Sequence, residues 1–123
     1  MIMLDTNFLI AAEEPGGEAD CKLRSWLAQR ERIGICSIVW AEYQCGPLSP
    51  GVVTAADLLC SVKEPFLIDD APLAAHLFND SGRRRGTLTD CMIAAVAIRS
   101  GASLATLNRA DFASFCRSGL MLA

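Results

Sequence analysis

Apolar residues fall into two run lengths along this chain. Short runs at Ile2–Leu4, Ile33–Cys36, Phe66–Ile68, Ser103–Ala105 and Leu120–Leu122 are bounded by glycine, proline or charge, which predicts buried strands. Longer stretches between them carry helical spacing. Ala19 to Arg30 sets Leu23, Trp26 and Leu27 on one face, and Ile38–Cys45, Val52–Val62 and Pro72–Asn79 also read as helices. Asp90–Arg99 is apolar nearly all round, which predicts a buried helix. The clearest loops are Pro47–Gly51 and Gly82–Gly86. Strands alternating with helices predict an α/β layer with a mostly parallel sheet, whose ligand sites lie beyond the carboxyl ends of the strands.

Composition narrows the class. The 123 residues are 52% hydrophobic and 20% charged, which suits one compact domain over residues 1–123 with one core. No apolar run approaches the roughly 18–20 residues of a membrane span, and Met1–Asp5 lacks the basic start of a signal peptide, so a cytoplasmic protein is expected. Six cysteines without a CxxC pair, and a single histidine (His76), argue against zinc and for free thiols packed as small hydrophobes. The net charge of −3 gives no general attraction for nucleic acid. Once Asp5, Glu42, Asp90 and Asp111 are set aside, however, 11 basic residues face 10 acidic ones.

Those four acids are the candidate chemistry. Asp5 directly follows the first strand, where it either caps the next helix or stands in a site. Glu42 lies in the apolar helix Ile38–Tyr43, which predicts a half-buried carboxylate needing a cation or an arginine. Asp90 opens the buried helix, with Thr89 or Asp90 itself as N-cap, and the helix macrodipole alone would favour an acid there. Asp111, three residues after Asn108, resembles a capping box, and Asn108 would either cap or orient a ligand. Four carboxylates converging on one edge would repel one another without cations, and an all-oxygen set suits Mg²⁺ or Mn²⁺.

Four segments in order carry a resemblance: Met3-Leu4-Asp5-Thr6-Asn7; Ser37 to Tyr43 with Gly46; Gly86 followed by Asp90-Cys91-Met92-Ile93-Ala94-Ala95; and Ala105 to Phe112. Together they are similar to the PIN-domain family, in particular the VapC toxins of bacterial toxin–antitoxin pairs. The resemblance implies a three-layer α/β/α sandwich and a Mg²⁺- or Mn²⁺-dependent endoribonuclease. It implies an RNA substrate, a cognate antitoxin and a homodimer. Asp5, Glu42, Asp90 and Asp111 fall on the family's acidic positions, and Thr6, Asn7 and Asn108 on supporting polar ones. On this reading Asp5 and Asp90 hold the principal cation. Glu42 completes its shell or orients water, and Asp111 serves a second ion. An antitoxin's basic side chain would suit the acidic pocket.

Arg83-Arg84-Arg85 is the densest basic run and is expected either to contact RNA phosphates or to form a solvated loop. Arg24, Arg99 and Arg109 are further candidates. Trp26 and Trp40 read as core. Other classes fit less well. A phosphoacceptor receiver wants paired acids after the first strand and a late lysine, but the only lysines are Lys22 and Lys63. A dehalogenase-type phosphotransferase wants an acid where Asn7 stands, and one histidine excludes a histidine-pair ribonuclease. A non-toxin PIN nuclease of RNA processing, and a metal-free binding or signalling module, remain as alternatives.

Overall fold

The computed structural model describes residues 1–123. Five strands, β1 (Ile2–Leu4), β2 (Ile33–Cys36), β3 (Val62–Glu64), β4 (Ser103–Ala105) and β5 (Met121–Leu122), form an all-parallel sheet in the order β3-β2-β1-β4-β5. Seven helices connect them: α1 (Thr6–Ala11), α2 (Glu18–Ala28), α3 (Ser37–Gln44), α4 (Pro50–Leu59), α5 (Ala71–Asp80), α6 (Leu88–Arg99) and α7 (Arg109–Phe112). A parallel sheet needs cover on both faces, and this gives the expected α/β/α sandwich. Every residue of β1 and β2 is buried, and so are Cys91 and Ile93–Ala97 of α6, the helix whose apolar residues run all round.

Three boundaries depart from the pattern reading. The third strand is Val62–Glu64, not Phe66–Ile68. Pro65 has no N–H for a ladder and follows the strand at once. Beyond it the Phe66 N–H donates to Ser37 Oγ, and the Leu67 N–H donates to Asp70 Oδ2, which closes a 3₁₀ turn over Ile68–Asp70. The helix expected over Val52–Val62 begins earlier, at Pro50, with Ser49 accepting the Val52 N–H. It ends at Leu59, because Cys60 leaves helical geometry (ψ 80°) and frees Val62 for the sheet. The last helix before β4 starts at Leu88 with Thr87 as N-cap, so neither Thr89 nor Asp90 caps it.

Strand order places the site. From β1 the chain steps outward to β2 and β3, then returns to the other side of β1 as β4 and β5. The connections after β1 and β4 therefore diverge, and the crevice beyond their carboxyl ends is the topological switch point where doubly wound sheets bind ligands.

Candidate active site

Asp5 is the first residue past β1 and Thr106 the first past β4. Both are buried, each about 4% exposed. The Asp5 N–H donates to the Ala105 carbonyl at 2.9 Å, which extends the β1–β4 ladder by one step. The Asp5 carboxylate accepts at both oxygens, from the Thr6 N–H on Oδ1 (2.8 Å) and the Thr106 hydroxyl on Oδ2 (2.7 Å). Asp5 is thus the N-cap of α1 as well as a residue of the crevice. Burial pushes its carboxyl above the ordinary value, and the hydrogen bonds from Thr106, Thr6 and Asn7 partly offset that.

The other acids approach from three helices. Glu42 is exposed, not half-buried as the apolar surroundings in sequence suggest. Its neighbours Val39 and Tyr43 take the core-facing side of α3, which leaves Glu42 turned outward, where Thr6 Oγ1 donates to its Oε2 at 2.7 Å. Asp90, in the first turn of α6, is partly buried. The macrodipole there favours its charged form. Burial, followed by the charges of Asp5, Asp111 and Glu42, outweighs that and pushes its carboxyl up to about 6. The other three acids therefore all act on Asp90.

Asp5, Thr6, Asn7, Ile10, Glu42, Asp90 and Asn108 line one depression of about 230 Å³. Asp111 lines the next depression, with Ser81, Arg84, Thr87, Ala110, Ser114 and Phe115. Three of the four acids share a surface, and the fourth stands beside it. Nowhere do three Asp, Glu, His or Cys side chains converge closely enough to enclose a metal ion.

The polar residues sort differently from the sequence reading. Asn7 Oδ1 accepts the Leu107 N–H at 3.0 Å, a second tie between the β1 and β4 ends. Asn108 precedes α7 but makes no side-chain cap bond; only its carbonyl accepts, from the Asp111 N–H. The capping box is therefore not formed, and Asn108 faces the depression instead. Thr106 is not among the candidates from sequence, where it directly follows the expected strand Ser103–Ala105. Its burial and its contact with Asp5, 101 residues earlier, are visible only in the fold.

The PIN domain family model matches residues 2–117, which is nearly the whole chain. The chain belongs to the PIN-domain family. Among curated proteins it has no significant match. The PIN domain superposes on several solved structures. One is VapBC2 from Rickettsia felis bound to a DNA fragment from their promoter (26% identity, TM-score 0.72, covering 100% of this chain and 98% of that one). Another is a toxin–antitoxin complex from Klebsiella pneumoniae (25% identity, TM-score 0.73, covering 92% and 91%). A third, FitAB bound to the IR36 DNA fragment, shares the fold at 20% identity (TM-score 0.80, covering 100% and 94%).

Around this PIN-domain site the basic residues divide. Arg83, Arg84 and Arg85 are exposed and form no salt bridge; Arg83 (φ +56°) turns the loop between α5 and α6, and Arg84 reaches the Asp111 depression. Arg24 is paired with Asp20 at 2.8 Å, Arg99 with Asp70 at 2.6 Å, and Arg109 donates to the Ala123 carbonyl, so these three are spent within the fold. Cys36, Cys60 and Cys91 are buried as expected, whereas Cys21, Cys45 and Cys116 are exposed free thiols. Trp26 and Trp40 are half-buried against the core, stacking near Phe8 and Tyr43. His76 is exposed. No helix is long and apolar enough to cross a membrane.

Proposed function

We propose that this PIN domain, taken over residues 1–123, is a Mg²⁺- or Mn²⁺-dependent endoribonuclease and the toxin of a VapBC-type pair. The observation that carries the reading is the state of Asp90 at the switch point: burial, and after it the charges of Asp5, Asp111 and Glu42, lift its carboxyl to about 6, and no basic residue lines its depression. A protein gains nothing in stability from such an arrangement; a cation would relieve it.

The donor set fits a hard cation. It consists of carboxylate, amide and hydroxyl oxygens, with no thiol lining the depression. The spread of the acids also fits, since Mg²⁺ keeps several waters and uses one or two carboxylates plus substrate phosphate instead of a closed protein cage. Asp5 and Asp90 would hold the ion, and Glu42, fixed by Thr6, would orient water at its edge. Asp111 would serve a second ion or the substrate side. Bound there, the cation supplies an activated water and a clamp on the scissile phosphate. Thr6 and Asn7 keep Glu42 and the β4 loop in register, and Asn108 offers its amide to the depression. Arg83, Arg84 and Arg85, which form no salt bridge, would meet RNA phosphates on the approach to Asp90.

The Klebsiella pneumoniae structure named above is a toxin–antitoxin complex, and the same partnership is proposed here, with a basic antitoxin side chain neutralising the acids. A homodimer and a cytoplasmic location complete the reading. The test is sequencing of RNA 5′ ends after brief expression, with Asp5→Ala as control. New ends at defined positions, absent in Asp5→Ala, are expected. Identical ends in both would overturn the reading.

A further inference from the structure

We infer that Thr106 is the positioning residue that sets how Asp5 meets a divalent cation. The inference rests on the cation reading proposed above and extends it to a residue that does not itself line the depression. Thr106 Oγ1 has three polar neighbours: Asp5 Oδ2 at 2.7 Å, the Asn108 N–H at 3.1 Å and Asn7 Oδ1 at 3.4 Å. A hydroxyl has one proton and two lone pairs. Two of the three neighbours are acceptors and compete for that proton. The shorter contact is to a carboxylate, and charge-assisted hydrogen bonds are about twice as strong as neutral ones, so the proton goes to Asp5. Asn7 Oδ1 loses nothing, because it already receives the Leu107 N–H at 3.0 Å. A lone pair of Thr106 then takes the Asn108 N–H.

One buried hydroxyl therefore fixes two residues of the depression, the carboxylate from β1 and the backbone of Asn108 after β4. Its effect on Asp5 is directional. A carboxylate offers about four lone-pair sites. The Thr6 N–H takes one on Oδ1 and Thr106 takes one on Oδ2, so each oxygen keeps an open site and the group cannot rotate without breaking a bond. Burial allows no water to substitute freely for the hydroxyl. Outer hydrogen-bond partners of ligating groups commonly set metal affinity by roughly ten- to a hundredfold.

The experiment measures Mn²⁺ binding calorimetrically, without RNA, on the full chain and on Thr106→Val, Thr106→Ser and Thr106→Ala, with thermal melts to establish the folded fraction. Thr106→Val keeps the shape and removes the hydroxyl. It is expected to bind Mn²⁺ about tenfold or more weakly per folded molecule, with Thr106→Ser within about twofold of wild type. Thr106→Ala, which lacks the branched methyl that Val retains, serves as the second hydroxyl-free variant if Val does not fold. In RNA cleavage the Mn²⁺ concentration for half-maximal rate should rise by the same factor, while the rate at saturating Mn²⁺ is largely recovered. Wild-type affinity in Thr106→Val, or equal weakening in Val and Ser, overturns the inference and leaves the cation reading standing. No Mn²⁺ binding by the wild-type chain overturns both.

Discussion

Helix α6 joins two acid-rich regions that are built in opposite ways. Near its last residue, Asp70 is buried, with a side chain only 2% exposed, and Glu64 stands close by; Arg99 answers both, at 2.6 Å and 3.3 Å, and also donates to the Pro65 carbonyl at 2.7 Å. In its first turn, Asp90 faces Asp5, Glu42 and Asp111, and no basic side chain lines that depression. The first region gives its buried carboxylate a cationic partner, as a buried charge requires. The second leaves the balance of charge open. Acid content does not separate a structural cluster from a chemical one; the missing counter-charge does.

The comparison can be broken from either end. The largest effect is expected on chemistry. Asp5→Ala or Asp90→Ala should lower RNA cleavage by at least about a hundredfold while the far-UV spectrum stays native. Wild-type rates in either variant, or rates indifferent to a chelator, would erase the distinction between the two regions. The next largest is on stability. Arg99→Ala leaves Asp70 buried without its partner and should cost about 3 kcal/mol in urea denaturation, with cleavage per folded molecule unchanged.

Asp90→Asn should move stability the other way. The Asp90 carboxyl stands at about 6 in the fold against 3.8 as a reference. Its protonated form is the one the fold favours. The stabilisation from that proton is full below about pH 4 and is lost as pH rises through 6. At neutral pH the charged group works against folding. With Asp90 still partly open to solvent, Asp90→Asn should gain about 1–2 kcal/mol at pH 7 and little at pH 4. Added Mg²⁺ should shrink the difference by stabilising the wild type alone. A flat wild-type stability between pH 4 and 7 would contradict the crowding. The smallest effect belongs to the basic loop. Replacing Arg83, Arg84 and Arg85 with Ala should weaken RNA binding by about tenfold at low salt and flatten its salt dependence, without moving the melting temperature.

Much of this was legible in the chain, and the failures have physical causes. Asp5 was legible because a strand end followed by an acid is a local signal. The α6 helix was legible because its apolar residues run all round. Burial of Glu42 does not follow from its apolar neighbours: α3 turns Val39 and Tyr43 to the core and leaves Glu42 exposed at the crevice. The third strand was misplaced because Phe66–Ile68 is the more apolar run, yet the edge position is filled by Val62-Lys63-Glu64, where an exposed side tolerates charge. Thr106 was illegible because its partner lies 101 residues away. Nothing in Ala105-Thr106-Leu107 marks a hydroxyl that reaches back to the start of the chain.

That separation has a consequence for timing. A ribosome makes Asp5 and Glu42 well before it makes β4, which begins at Ser103. Until residues 103–106 have left the exit tunnel and inserted beside β1, Asp5 is tethered only by its neighbour Thr6, and Asn7 has no β4 loop to receive. Pairing the first strand with the fourth is a contact of high sequence separation, which forms late in folding. An emerging chain therefore carries Asp5 and Asn7 without the β4 contacts that complete the crevice, and the site assembles only once β4 has docked beside β1.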